Sequence, residues 1–144
     1  MLQNLLFGMS TMAVCLLIQA MLTVVVLRIY ISRYLADANF CATRTLHMLI
    51  IVMLALVTGN FLQVSVWATL FIALGEFSNF SEAVYHSAVN FATLGYGDIV
   101  MSDQHKLLGP LQAINGVLMI GVSTSVLMSC LQDALMKARK AKLN

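Results

Sequence analysis

The chain has 144 residues, of which 60% are hydrophobic and only 10% are charged, and its formal net charge is +2. An ordinary soluble domain has a lower apolar fraction, so this composition excludes such a domain and indicates a membrane protein. No nucleic-acid partner is expected.

Three long segments contain no Asp, Glu, Lys or Arg: 1–27, 45–75 and 107–132. Each exceeds the roughly 20 residues that a helix needs to cross a bilayer. We therefore predict an all-α integral membrane protein with three transmembrane helices and the lipid bilayer as its surroundings. The expected bounds are about 5–30 for an extra N-terminal helix, 46–75 for an outer helix, 106–136 for an inner helix and 137–144 for a basic tail. No internal repeat is visible, so 1–144 is expected to be one membrane domain.

The positions of lysine and arginine predict the orientation of these helices. All but Lys106 flank the first connection or lie in the tail: Arg28, Arg33, Arg44, Lys137, Arg139, Lys140 and Lys142. Positive charge favours the cytoplasmic side of a membrane. We therefore expect the protein in the plasma (cell inner) membrane, with its N-terminus outside and its C-terminus in the cytoplasm. The first segment lacks the basic leader of a signal peptide, so it is expected to remain as a membrane helix.

A short amphipathic segment follows the second span. Asn79 or Ser81 can cap a helix over 81–92 that begins with Glu82, a favourable charge at a helix N-terminus. About 16 Å of helix can enter half the bilayer but cannot cross it. Non-helical backbone at membrane depth must be buried in protein or line water, so this pattern predicts a re-entrant helix that delivers residues 93–98 to a pore.

The segment Thr-Leu-Gly-Tyr-Gly-Asp at 93–98 has the chemistry of an ion selectivity filter. Carbonyls that replace the water around an ion must all face one axis, which requires left-handed backbone angles at alternate residues. Gly95 and Gly97 take those angles without steric cost. The Thr93 hydroxyl adds an oxygen at the inner end, the Tyr96 ring is expected to pack against surrounding helices, and Asp98 attracts cations at the mouth.

The stretch from Phe80 to Asp98 resembles the pore helix and filter of the K⁺ channel superfamily. This resemblance implies a K⁺-selective tetramer, each subunit with an outer helix, a re-entrant pore loop and an inner helix. It assigns K⁺ binding to the filter residues Thr93, Leu94, Gly95, Tyr96 and Gly97, with Asp98 as the outer anchor and His86 and Asn90 behind the filter. The family usually has Val in place of Leu94 and commonly Thr in place of Ala92, which leaves a weakly selective cation channel as an alternative.

Several residues outside the filter have two interpretations. Gly116 in the inner helix is either a gating hinge or a packing glycine. Val117, Ile120, Thr124 and Met128 share a helical face and are expected to line a water-filled cavity. His86 either packs behind the filter, which we favour, or senses pH, and Asn90 bonds either across subunits or to a nearby group.

The absent features narrow the function further. No nucleophile motif, metal cluster or phosphate-binding loop is present in the sequence, so no enzymatic activity is expected, and no cofactor other than K⁺. No span carries an arginine ladder, and the tail is too short for a ligand-binding domain. Gating is therefore expected from the filter, the inner helices, lipid, outer pH or an unidentified regulatory partner. The alternative from a different class is a non-conducting subunit that modifies other channel chains.

Overall fold

Four helices account for most of the chain in a computed structural model, which describes residues 2–35 and 41–143. Helix α1 spans Leu2–Tyr30 and continues into a π-helical turn at Ile31–Leu35. The other three helices are α2 at Ala42–Ala73, α3 at Phe80–Phe91 and α4 at Leu108–Leu143. The described residues contain no strand, and α1, α2 and α4 are long and apolar enough to cross a membrane. The predicted all-α membrane fold is thus confirmed.

Helix α2 ends two residues before the predicted position because a glycine closes it. Gly75 has a φ of +74°, and its N–H donates to the Ile72 carbonyl at 2.9 Å while the Glu76 N–H donates to the Phe71 carbonyl at 3.0 Å. These two bonds form a Schellman motif, which satisfies carbonyls at the helix end and reverses the chain. The reversal places Glu76 in the connection between α2 and α3.

Helix α3 begins with a side-chain cap. Of the two candidates, Asn79 is the capping residue, and its side chain accepts a hydrogen bond from the Ser81 N–H at 3.0 Å. Glu82 lies in the first turn, where its charge suits the helix dipole. Twelve residues give α3 about 18 Å of length, too short to cross a bilayer.

Helix α4 begins at Leu108, two residues later than predicted, and Pro110 lies in its first turn, where a missing N–H costs nothing. The helix then continues to Leu143, seven residues beyond the predicted end at 136. Most of the predicted basic tail is therefore helical, because alanine, lysine and arginine are good helix formers and lysines in the last turn suit the dipole. Asn144 lies outside the described residues, as do 36–40 of the first connection.

Helix α1 packs against both α2 and α4 and defines two ends of the bundle. At one end Asn4 Nδ2 donates to the Gln104 carbonyl, in the loop after the predicted filter, at 2.5 Å. At the other end Tyr30 Oη donates to the Cys130 carbonyl at 3.0 Å, and Lys137 Nζ donates to the Tyr34 carbonyl at 2.7 Å. The N-terminus and the loop after the filter therefore share one end, and the basic residues gather at the other.

Large apolar side chains cover the outer faces of the three long helices. Leu17 is 65% exposed, Leu54 62% and Phe61 63%. Such continuous apolar surface is stable only in contact with lipid or another protein. The chain is a multi-pass membrane protein.

Candidate functional site

The segment 93–98 leaves α3 through a second Schellman motif, this one with a threonine at the reversing position. The Thr93 N–H donates to the Asn90 carbonyl and the Leu94 N–H to the Val89 carbonyl, both at 2.9 Å. Thr93 has a φ of +59°, an unusual angle for a β-branched residue. The helix end therefore imposes a strained angle on the first residue of the loop.

Positive φ angles alternate along the loop. They occur at Thr93, Gly95 and Gly97, with values of 59°, 60° and 74°, and not at the intervening Leu94 and Tyr96. This alternation is the backbone pattern expected for carbonyls that share one direction. Sequence reasoning anticipated the two glycines and missed Thr93, because the rule that assigns left-handed angles to glycine gives no such signal for threonine.

All six residues of the loop 93–98 are exposed in the single chain. Leu94 is 54% exposed and Tyr96 66%. The expected packing of Tyr96 against helices is therefore not met within one chain. Behind the loop lies a cavity of about 320 Å³ whose lining includes Asn90, Gly95 and Pro110. One chain leaves both sides of the loop uncovered.

A side chain of α3 ties down the outer end of the loop. Tyr85 Oη donates to Asp98 Oδ2 at 2.7 Å. This hydrogen bond lowers the pKa of the Asp98 carboxyl, with further help from backbone N–H groups. Asp98 thus carries its negative charge at the rim of the loop, where it attracts cations. Tyr85 was missed from the sequence, where only its position on the helix face toward the loop could have indicated it.

His86 connects α3 to the backbone after the loop. His86 Nδ1 lies 2.9 Å from the Ile99 carbonyl, which can only accept, so Nδ1 carries the proton. Nε2 then accepts from Asn90 Nδ2 at 2.9 Å. The ring also packs near Phe71 and Phe77, with centroid distances of 5.7 and 5.1 Å. These contacts with two aromatic rings, a backbone carbonyl and an amide favour a packing role.

The loop, the short helix α3 before it and parts of α2 and α4 match a known family. A family model described as "Ion channel" matches residues 59–133, just over half of the chain. The chain belongs to this ion channel family. The match confirms the K⁺ channel superfamily resemblance drawn from Phe80 to Asp98. No curated protein and no solved structure showed significant similarity. In this channel chain, α1 lies wholly outside the matched region.

The inner helix of the channel chain presents two distinct faces. Gly116 is buried against α3, so close to the Phe91 carbonyl that an added Cβ would overlap it. The four residues expected to line a cavity are all exposed in the single chain: Val117, Ile120, Thr124 and Met128. The structure thus gives Gly116 a packing contact with the end of the pore helix.

An acidic side chain organises the loop at 99–107, which joins the candidate filter to α4. Glu76 accepts hydrogen bonds from the Ser102 N–H at 2.7 Å and from Ser102 Oγ at 2.6 Å. His105 Nδ1 lies 2.5 Å from the same carboxylate, and the His105 and Glu76 side chains are only 12% and 7% exposed. His105 is therefore held in place by Glu76.

The loop at 99–107 is expected to lose stability in acid, because Glu76 then becomes protonated. Burial favours the neutral acid, but hydrogen bonds from Ser102 and His105 outweigh it and hold the pKa of Glu76 below 4.5. A pKa lowered by folding gives stabilisation that is complete above the unfolded pKa and is lost as pH falls through the folded one. Thermal unfolding should therefore show Glu76→Gln less stable than the native chain at pH 6, with the difference shrinking toward about pH 3.

The matched control is Glu82→Gln, since Glu82 is exposed. Its effect on the unfolding temperature should be smaller and less dependent on pH, because an exposed carboxylate contributes little to the stability of the folded protein. Equal effects of the two substitutions at pH 6 would contradict an organising role for Glu76.

Proposed function

We propose that the chain forms a homotetrameric channel that conducts K⁺ passively and selectively. The observation that carries this proposal is the alternation of positive φ at Thr93, Gly95 and Gly97, in a loop between a re-entrant helix and a spanning helix. A regular strand or an ordinary turn does not have this alternation of positive and negative φ angles. A filter of stacked carbonyls requires it.

Assembly into a tetramer is proposed because one chain cannot enclose a pore. A single loop supplies one wall of a pore, and closed rotational symmetry is the usual way in which identical chains complete a ring. The exposure of Leu94 and Tyr96 supports this assembly, because these large side chains need cover that the single chain does not provide. A neighbouring subunit that packs into the cavity behind the loop would supply it.

Conduction would proceed by exchange of oxygens around the ion. Asp98 draws K⁺ to the mouth, and carbonyls of Thr93 to Gly97 then replace its water, with the Thr93 hydroxyl at the inner end. The exposed face of α4 lines a water-filled cavity beyond the filter, where the ion recovers its hydration. The protein residues supply every group in this scheme, so no cofactor besides K⁺ is needed.

In the proposed orientation the protein lies in a plasma membrane. Asp98 and the mouth of the filter face the outside of the cell, and the basic end of the bundle faces the cytoplasm. This orientation is supported by the shared location of the N-terminus and the loop after the filter, which Asn4 and Gln104 join. The lysines and arginines gathered at the other end obey the positive-inside preference.

Ion flux from liposomes loaded with K⁺ or Na⁺ and reconstituted with the pure chain tests this function. K⁺ efflux should exceed Na⁺ efflux by at least about tenfold, since a carbonyl filter discriminates between the two ions. Empty liposomes and K⁺ release by a carrier antibiotic are the controls. Cross-linking before detergent extraction should give a tetramer.

Equal K⁺ and Na⁺ fluxes would instead indicate a relaxed filter and implicate Leu94 or Ala92. In that case Leu94→Val should restore discrimination, because the smaller side chain removes a methylene from behind the filter. A tetramer without flux of either ion would contradict the proposal and favour a non-conducting subunit.

A further inference from the structure

A chain of polar side chains joins α1 to α2 and α4 within the three long apolar helices. Gln63 Nε2 of α2 donates to Gln19 Oε1 at 2.7 Å, and Gln19 Nε2 donates to Ser123 Oγ of α4 at 3.0 Å. Ser123 Oγ in turn lies 3.4 Å from Asn60 Oδ1. Gln19 is 2% exposed and Gln63 fully buried. Polar groups within membrane helices are costly and mark positions where a partner matters.

Helix α1 contacts α4, and the loop before it, along nearly the whole length of α1. Asn4 reaches the loop before α4, Gly8 lies against Leu111, and Tyr30 and the turn after it bind the far end through Cys130 and Lys137. Between these ends, Gln19 makes a directional contact with α4 through its hydrogen bond to Ser123. Apolar helix packing in lipid tolerates rotation better than a hydrogen bond does, because lipid and side-chain hydrocarbon are alike.

The position of Ser123 on α4 relates the contact with α1 to the direction of the exposed residues beside it. It points inward to Gln19, while its neighbour Thr124 and Ile120, three residues earlier, lie on the exposed face. Successive helix residues differ by about 100° around the axis. A bond that holds Ser123 toward α1 therefore also fixes the directions of Ile120 and Thr124, which lie about 60° and 100° away around the same axis.

We propose that α1 is a positioning helix for the pore, and that Gln19 fixes the rotation of α4 so that Ile120 and Thr124 face the cavity. This inference rests on the proposed channel function and gives a role to the helix outside the matched family region. Gln19 is a positioning residue, because it acts through Ser123 and does not itself contact the ion path.

The test measures which face of α4 lines the cavity. Single cysteines replace Thr124 or Val122, two exposed positions that point about 200° apart, in a background with Cys41→Ser. Cys15 and Cys130 are buried in the chain, so they give little background reaction with a water-soluble thiol reagent. In liposomes the native chain should react faster at Thr124→Cys than at Val122→Cys.

Gln19→Leu should lower the ratio of these two rates by about tenfold, because α4 loses its directional contact. Gln19→Glu, neutral at this depth, keeps one donor and one acceptor and should restore the ratio. Thr23→Val on the same helix is the control. The Thr23 hydroxyl has no hydrogen-bond partner among the described residues, so its loss should leave the ratio within about twofold.

An unchanged ratio in Gln19→Leu, an equal shift in Thr23→Val, or no native preference for Thr124 would overturn the inference. If Gln19→Leu does not assemble, Ser123→Ala removes the same bond from α4 and should shift the ratio in the same direction. K⁺ flux is recorded in parallel. Absent flux with the rate ratios as expected would overturn the proposed function while leaving the positioning role intact.

Discussion

Gly95→Ala is expected to abolish K⁺ flux while leaving the spans and the assembly in place. Gly95 has a φ of +60°, and a left-handed angle costs an alanine about 1–2 kcal/mol. Four subunits would carry the substitution, so the conducting filter is disfavoured by about 4–8 kcal/mol. At about 1.4 kcal/mol per factor of ten, the loss of flux should reach at least a hundredfold. Tracer efflux from liposomes measures it.

Gly75→Ala is a closely matched control. Gly75 also has a positive φ, of +74°, and like Gly95 it has nothing within 4 Å of an added Cβ. It differs in lying at the end of α2, outside the loop, where it closes the helix. Gly75→Ala should lower the unfolding temperature slightly and keep the flux. Loss of flux in both variants would mean that backbone strain anywhere in the chain disables the channel, which contradicts a specific role for Gly95.

The features that could be predicted from the sequence depend on rules that act over a few residues. Charge-free segments predict spans, Asn79 before an apolar run predicts a helix start, and Gly95 and Gly97 predict left-handed angles. Each needs only the local chain and its solvent. The same kind of rule misplaced the end of α4, because the first lysine marks the membrane boundary and not the end of a helix.

Contacts between distant residues could not be predicted in this way. Gln19 in the long apolar stretch of α1 signals that a buried partner exists, yet Ser123 is 104 positions away. Glu76 and His105 are 29 positions apart, and nothing local pairs them. The angle at Thr93 has a similar origin, since the closure of α3 overrides the preference of a β-branched residue.

Gly116→Ala is expected to destabilise the pore and reduce conduction together. An added Cβ would overlap the Phe91 carbonyl, a backbone atom that cannot rotate away as a side chain can. The pore helix or α4 must therefore shift, at a cost of about 1–3 kcal/mol in each subunit. Phe91 ends α3 two residues before Thr93, so any shift of α3 displaces the inner end of the filter. Thermal unfolding and K⁺ flux are measured on the same preparation.

Gly121→Ala separates this packing effect from the general effect of alanine in a helix. Gly121 lies on the same helix with nothing within 4 Å of an added Cβ. Since alanine is a better helix former by about 0.5–1 kcal/mol, Gly121→Ala should be as stable as the native chain or slightly more stable. The two interpretations of Gly116 then predict different pairs of results. A packing glycine loses stability and flux together, whereas a hinge loses flux while α4 gains stability, because alanine stiffens the helix without a clash.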